Sequence, residues 1–151
     1  MASPFKSNAN FRRLTVHREI AAPLAATWNV MTDLERWPEW TASVTRIERI
    51  DGAPLEVGTR VRITQPGLPQ AVWTITAWEP PFQFQWVAKG PGFTTIAEHT
   101  LELTEDGCRA ALSIRLEGPA GGLFGWMTRN LTQRYVTMEA DGLKARSEGL
   151  R

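Results

Sequence analysis

Apolar and polar residues alternate along most of the chain, and a period of two is typical of half-buried β-strands. The first alternating segment is 11–20, where Leu14, Val16 and Ile20 share one face. Further segments with this period predict strands at 44–50, 59–64, 71–79, 83–89, 93–104 and 109–117. Between them lie turn sequences such as Asp51-Gly52, Pro66-Gly67 and Asp106-Gly107. Short turns join antiparallel neighbours, so the pattern predicts an antiparallel meander that the first strand completes to seven.

Two short helices are expected directly after the first strand. Pro23 suits the first turn of a helix, and Leu24, Trp28 and Met31 follow at helical spacing. Asp33 can cap a second short helix, which a proline at 38 ends because proline removes a backbone donor.

After the glycines at 118–122 the spacing changes to 3.6 residues, which predicts a long C-terminal helix over about 123–147. Its apolar stripe is formed by Leu123, Met127, Leu131, Tyr135 and Met138. Gly142 inside the helix costs up to about 1 kcal/mol, so we expect it to mark either a close approach of another segment or fraying of the helix. The element order describes an α+β fold in which a strongly curved sheet grips its last helix.

Composition bounds the class of protein. The chain has 151 residues, 42% apolar and 22% charged, which suits one globular domain; we assign 1–10 as a disordered lead-in and 11–151 as that domain. Lysine plus arginine total 17 against 16 acidic residues, and so small an excess argues against nucleic acid as a partner. No segment is apolar over the roughly 18 residues of a membrane span, and the N-terminus lacks the apolar core of a signal peptide. We therefore expect a cytoplasmic protein.

Common catalytic and metal-binding patterns are missing. His17, His99 and Cys108 include no close-spaced pair of ligands, so we expect no metal. Cys108 follows a predicted hairpin tip, where we expect an inert or oxidisable turn thiol rather than a nucleophile. The glycines within 118–125 precede a helix, but no Gly-Lys-Ser/Thr follows. We interpret them as a flexible loop and expect no nucleotide or other cofactor.

Seven tryptophans are the most unusual feature of the composition. Trp73 and Trp86 fall on predicted neighbouring strands and, side by side, would form an aromatic wall, which serves either core packing or ligand contact. Trp28 is expected in the core. Trp40 is expected to help cover one end of the sheet, where it could have a dual role.

His99 is the best polar candidate on the sheet. It shares a strand face with Leu101 and Leu103, which should face the core, so we expect the imidazole to point inward. The small residues Thr95 and Ala97 on that face would leave room for a ligand. Three interpretations stay open for His99: a core histidine satisfied by a neighbour, a cavity-lining residue, and a catalytic group that relays a proton near neutral pH.

Trp126, Asn130 and Arg134 share a second stripe of the last helix, beside the apolar stripe that contains Met127. If the helix closes the cavity, this stripe could meet the head group of a ligand, and Arg134 could pair with a carboxylate or phenolate. The alternative is a solvated face, on which Arg134 pairs with Glu139 or another surface acid.

Several segments together resemble the polyketide cyclase/dehydrase branch of the START-like (SRPBCC, birch-pollen-allergen-like) superfamily. They are Ile20-Ala21-Ala22-Pro23 leading to Trp28, Thr32-Asp33-Leu34-Glu35-Arg36-Trp37-Pro38-Glu39-Trp40, Val57-Gly58-Thr59-Arg60-Val61, Trp73-Thr74-Ile75-Thr76-Ala77-Trp78-Glu79-Pro80-Pro81 and Leu143-Lys144-Ala145-Arg146-Ser147-Glu148. The likeness covers about 11–148. It implies a helix-grip fold: a curved seven-stranded antiparallel sheet wrapped around the C-terminal helix. It also implies a deep cavity between sheet and helix, which in this family binds lipids, sterols, polyketides or other apolar molecules. The matching residues serve turns and packing, so no catalytic residue carries over.

Two functional hypotheses follow. The first is a monomer or homodimer that binds an apolar or aromatic small molecule. Its predicted contacts are Trp40, Trp73, Trp86, Thr95, Ala97, His99, Trp126, Met127, Asn130 and Arg134. The second is a polyketide cyclase or dehydratase, in which His99 with Arg134 or Asn130 supplies proton transfer and oxyanion stabilisation. Polar groups that converge inside the cavity would favour the enzyme, and an apolar lining would favour binding. A module that binds a protein partner stays a third possibility, since relatives of this fold do such work.

Overall fold

A single antiparallel sheet forms most of the protein in the computed structural model, which describes residues 12–52 and 54–149. Its strands are β1 (Arg13–Ile20), β2 (Arg46–Arg49), β3 (Arg60–Thr64), β4 (Ala71–Glu79), β5 (Gln83–Gly90), β6 (Phe93–Thr104) and β7 (Gly107–Glu117). The helices are α1 (Leu24–Thr32), a 3₁₀ helix (Leu34–Glu39) and α2 (Gly121–Gly149). The predicted lead-in at 1–10 lies outside the described residues. Strands β4 and β6 have the predicted bounds, whereas β2 is shorter and α2 is two residues longer at each end.

The strand order is β1-β7-β6-β5-β4-β3-β2, and every neighbouring pair is antiparallel. Strands β2 to β7 follow one another as a meander. Strand β1 pairs with β7, with Leu14 opposite Ile114 and Ile20 opposite Cys108. Helix α1 and the 3₁₀ helix lie in the connection from one edge strand to the other. This confirms the predicted helix-grip architecture of seven strands, two short helices and a long last helix.

Helix α2 packs against β1, β7 and α1. A Cβ added at Gly142 would collide with the backbone carbonyl of Trp40 and would lie 2.9 Å from Cε3 of the same residue. The helix continues to Gly149. Gly142 therefore marks a close approach, which is one of the two outcomes expected for it, and the helix does not end early.

Two predictions about β6 and β7 were wrong. Cys108 was predicted to be an inert or oxidisable turn thiol, but it lies in β7 and is fully buried, with its Sγ 3.4 Å from Oγ1 of Thr27 in α1. It is the second residue of β7, where the strand already contacts α1. Burial raises the pKa of the Cys108 thiol. Leu103 was expected in the core with Leu101, but its side chain is 72% exposed because it lies at the end of β6, beside the turn.

Candidate functional site

A cavity of about 800 Å³ lies between the sheet and α2. Strands β3 to β7 line it on one side, α2 lines it on the other, and Trp37 of the 3₁₀ helix contributes to the lining. Small-molecule sites in proteins have volumes of roughly 300–1,000 Å³. The space between sheet and helix is thus large enough for a ligand of several rings.

Tryptophan rings form one wall of this cavity. The rings of Trp73 and Trp86 lie with centroids 5.9 Å apart, and Trp37 lies 5.5 Å from Trp86. All three side chains line the cavity. Trp86 is 2% exposed and Trp73 is 9% exposed, so the wall is fixed by packing on the side away from the cavity. The structure therefore brings together the two tryptophans that strand periodicity places on one face.

His99 points into the cavity from β6, on the same strand face as Thr95 and Ala97, which also line it. Its ring stacks on Phe84 of β5, with centroids 4.2 Å apart and an interplanar angle of 5°. It also meets the edge of Trp86 at 5.5 Å. These contacts hold the imidazole in one orientation among aromatic rings.

The electrostatic state of His99 follows from that environment. The residue is 4% exposed, and burial lowers its pKa to about 3, with a smaller opposing effect from the Phe84 backbone. The imidazole is neutral at pH 7. Its Nδ1 is buried and finds no hydrogen-bond partner within the described part of the chain. A buried polar atom without a partner costs about 1–3 kcal/mol, which a ligand group could recover.

Glu139 of α2 lines the cavity, although helical spacing predicted it only as a surface partner for Arg134. Ser43 Oγ donates a hydrogen bond to Glu139 Oε2 at 3.3 Å, and Ser43 Oγ lies 2.7 Å from Thr41 Oγ1. Burial raises the pKa of Glu139 to about 7, and the Ser43 hydrogen bond offsets only part of that shift. The carboxyl group thus changes its charge near neutral pH.

A signal for Glu139 was present in the sequence. Gly142 marks the side of α2 that approaches Trp40, and residues three, seven, ten and fourteen positions earlier share that side of a helix. Those positions are 139, 135, 132 and 128, and all four line the cavity. The glycine, rather than the apolar stripe, therefore indicates the inward face.

The stripe of α2 that was predicted to meet a ligand is the solvated face of the alternative interpretation, although Tyr135 of the apolar stripe does line the cavity. Trp126 is 60% exposed and Met127 is 68% exposed, while Asn130 and Arg134 are also exposed. None of these four lines the cavity. Phe124, Thr128 and Thr132 face the cavity instead.

Trp40 was also predicted to contact the ligand, but the structure gives it a packing position. Its ring lies 5.4 Å from that of Trp37, its backbone approaches Gly142, and it packs against the core. It is not among the residues that line the cavity. Trp37, its neighbour across Pro38, occupies the lining position.

Contacts of the last helix with two loops shape the outer end of the cavity. The Tyr135 hydroxyl donates to the carbonyl of Pro66 in the β3–β4 loop. Phe124 stacks on Phe93, with centroids 4.1 Å apart, beside the β5–β6 turn. Both phenylalanines and Tyr135 line the cavity, together with 68–70 and 89–91. We call this set of loop residues and the start of α2 the mouth.

The described residues contain neither a metal-ligand cluster nor a helix that could span a membrane. Across 12–52 and 54–149, no three His, Cys, Asp or Glu side chains cluster as metal ligands would. No helix formed by those residues has the length and apolar character needed to cross a bilayer.

Comparisons with known proteins place the chain in a family. The family model described as "Polyketide cyclase / dehydrase and lipid transport" matches residues 12–148. The chain belongs to this family. The comparison with curated proteins gives no significant match.

Solved structures share the fold of this member of the polyketide cyclase/dehydrase family. TTHA0849 from Thermus thermophilus has 20% identity and a TM-score of 0.73 over 91% of this chain and 98% of that one. A START superfamily protein from Mycobacterium smegmatis has 18% identity and a TM-score of 0.67, with 93% and 99% covered. The di-domain ARO/CYC protein StfQ of the steffimycin biosynthetic pathway has 11% identity and a TM-score of 0.73, over 96% of this chain and 54% of that one. At these identities the likeness shows the fold alone.

Proposed function

We propose that this protein binds an apolar or aromatic small molecule, lipid-like or polyketide-like, in the cavity between the sheet and α2. The observation that carries the proposal is the cavity of about 800 Å³ itself, lined on the sheet side by Trp73, Trp86 and Ala97 and on the helix side by Phe124 and Val136. Transfer of apolar surface from water into such a space is favourable by about 25 cal/mol per Å². The match to the family model supports the same assignment.

The direct test is native mass spectrometry of the protein purified from its own host. We expect a retained small molecule on the wild-type chain. Thr95→Phe should remove it, because Thr95 lines the cavity and a larger side chain fills the ligand's space. Thr94→Phe is the matched control, because alternation along β6 turns Thr94 to the opposite face of the sheet.

A binding assay complements the mass measurement. Titration with fused-ring and biphenyl compounds should quench the emission of Trp73 and Trp86 saturably. The Trp126→Phe background simplifies the signal, because it removes an exposed emitter that does not line the cavity. The proposal is refuted if the purified protein retains no ligand and also shows no saturable binding of any compound in the panel.

An enzymatic role is the second candidate, and one observation favours it. His99 and Glu139 both line the cavity, one from the sheet and one from the helix, so polar groups enter it from two walls. Glu139, rather than the predicted Arg134, is the charged residue of α2 that lines the cavity. A cyclase or dehydratase that acts on a polyketide-like carbonyl compound could use these groups for proton transfer.

Turnover separates the two roles. If the protein is an enzyme, His99→Phe and Glu139→Gln should each lower the turnover of a polyketide-like substrate by about 10²-fold or more, while the substrate still binds. Full turnover in both variants would remove the enzymatic candidate and would leave the binding proposal standing.

We further propose a cytoplasmic monomer or homodimer that works without cofactor. Cell fractionation with an antibody to the chain tests the location. Light scattering behind size exclusion tests the oligomeric state, with a mass near 16.9 kDa expected for the monomer.

A further inference from the structure

The inner end of the cavity differs chemically from its mouth. Among the lining residues of β6 and α2, His99 and Glu139 are the farthest along their elements from the contact of Phe93 with Phe124, whereas Thr128 is one helical turn from it. Eleven residues of helix separate Thr128 from Glu139, which is about 16 Å at 1.5 Å per residue. A ligand that fills the cavity therefore places one end against His99 and Glu139 and the other near the mouth.

Contacts with the 3₁₀ helix and the segment after it place both polar groups at this inner end. The ring of Trp37 lies 5.9 Å from the His99 ring. Ser43, six residues after Trp37, donates to the Glu139 carboxyl at 3.3 Å. The same stretch of chain thus touches the imidazole on one side and holds the carboxyl on the other.

Polar atoms of His99 and Glu139 remain available for hydrogen bonds to a ligand at the inner end. The buried Nδ1 of His99 has no partner within the described part of the chain. Ser43 satisfies Oε2 of Glu139, and no described hydrogen bond occupies Oε1. A carboxylate oxygen accepts hydrogen bonds, so a ligand group that can donate one fits this end.

Charge at the inner end disfavours an anionic ligand. The other charged residues that line the cavity are Lys89 and Glu98. Lys89 is exposed at the second-last residue of β5, at the mouth, and Glu98 is paired with Arg115 at 3.1 Å. Among the residues that the structure describes, no basic side chain that lines the cavity therefore stands beside Glu139 to neutralise a ligand carboxylate there.

Burial also disfavours a cationic ligand. The rings of Trp37, Trp86 and Phe84 surround the His99 ring, and removal of an ammonium group from water is costly unless it is paired and well hydrogen-bonded. Only one carboxyl group faces this end. The surroundings that keep the imidazole uncharged would penalise a ligand charge in the same way.

We propose that Glu139 and His99 form a selectivity site at the inner end of the cavity for a neutral hydroxyl, a phenol or an alcohol, carried by an otherwise apolar ligand. This inference rests on the proposed binding function and deepens it, because it names the group that the buried end of the ligand carries. A hydroxyl both donates and accepts hydrogen bonds, so it can donate to a carboxylate oxygen of Glu139 or bond to the imidazole.

Matched ligands test the proposal on the intact protein. Biphenyl, 4-hydroxybiphenyl, biphenyl-4-carboxylate and 4-phenylbenzylamine differ in one group, and the same four groups on naphthalene give a second series. At pH 8 the phenol stays neutral and the carboxylic acid is ionised. We expect the phenol to bind at least about tenfold more tightly than the hydrocarbon and the carboxylate, and more tightly than the ammonium ligand.

Variants assign the selectivity to the two residues. Glu139→Gln removes the charge and keeps an acceptor oxygen, so the ratio of phenol to carboxylate affinity should shrink by at least about tenfold. His99→Phe keeps a ring against Phe84 and removes the nitrogens. The affinity for the phenol should therefore fall at least about threefold, while the affinity for biphenyl should not fall. Asp141→Asn is the control: it makes the same change of charge on an exposed side chain of the same helix and should alter neither ratio.

Each outcome bears on a definite claim. Equal affinities for the hydrocarbon, the phenol and the carboxylate would overturn the selectivity site and leave the binding function intact. Tighter binding of the ammonium ligand than of the phenol would overturn the neutral hydroxyl in favour of a cation. If no member of either series binds, the proposed function fails and the selectivity site fails with it.

Discussion

Gly142 of α2 lies so close to Trp40 that an added Cβ would collide with the carbonyl oxygen of Trp40. The long helix and the segment after the 3₁₀ helix are therefore in backbone contact at this point. The contact sets the rotation of α2 about its axis and turns Glu139 toward the cavity.

Gly142→Ala should destabilise the protein, although alanine is the better helix former by about 1 kcal/mol. Overpacking costs about 1–3 kcal/mol, and the upper part of that range, about 2–3 kcal/mol, applies here because the neighbour is backbone, which cannot move aside as a flexible side chain can. Urea unfolding should give a net loss of about 1–2 kcal/mol. Gly122→Ala is the control, because its added Cβ meets only Arg12 at ordinary contact distance, 3.5 Å. A Gly142→Ala protein as stable as the wild type would show that the close approach is absent.

His99 should make stability depend on pH on the acid side. Its pKa is about 3 when folded and about 6.5 when unfolded. Between these values the unfolded chain binds a proton that the folded chain does not, so stability falls as the pH drops from about 6.5 toward 3. His99→Phe should flatten this part of the stability profile, by up to about 3 kcal/mol between pH 6.5 and 4.5. The exposed His17→Gln variant serves as control, and an unchanged slope in His99→Phe would contradict the buried neutral imidazole.

Glu139 should act with the opposite sign. Its pKa is about 7 when folded and about 4.3 when unfolded, so the folded chain holds a proton that the unfolded chain releases. Stability from this group is therefore present below about pH 4.3 and is lost as the pH rises through 7. In denaturant titrations at stepped pH, Glu139→Gln should remove that loss of stability, which amounts to up to about 4 kcal/mol. If the stability of Glu139→Gln falls with rising pH as steeply as that of the wild type, Glu139 is not the group that causes this pH dependence.

The outer face of α2 should be dispensable for ligand binding. Trp126→Ala and Arg134→Ala alter exposed side chains that do not line the cavity, so we expect changes in affinity for 4-hydroxybiphenyl below about twofold. Trp73→Leu removes a ring that lines the cavity and should weaken binding about tenfold, or 1.4 kcal/mol. Calorimetry measures all three. A large loss in Trp126→Ala would restore that residue to the site.

Cys108 should react slowly with a thiol reagent in the folded protein. Its side chain is fully buried and burial raises its pKa, and the thiolate is the reactive form. Reaction with DTNB should be fast in urea and slow without it. A Val57→Cys chain, with its new thiol at a position that is 60% exposed, should show one fast and one slow thiol. Rapid labelling of wild-type Cys108 under native conditions would contradict its position beneath α1.

Local patterns in the sequence determined the elements of this fold. Alternation and turn residues act within a few positions of the chain, so they place strands such as β4 and β6 at their observed bounds. Pro23 and the helical spacing after it likewise predict α1. The family resemblance, quoted on turn and packing segments, was confirmed by the family model over 12–148. Trp73, Trp86 and His99 reach the cavity because strand alternation alone decides which face each one occupies.

Only the tertiary structure decided which face of α2 looks inward. A helix presents every face within two turns, so its orientation depends on contacts far along the chain, here Gly142 with Trp40 and Tyr135 with Pro66. Trp126 and Met127 of its first half face outward, because the same rotation turns Phe124, Thr128 and Thr132 toward the cavity. Glu139 became a cavity residue through the same rotation, and its proton affinity follows from burial beside Ser43, which residue spacing does not encode.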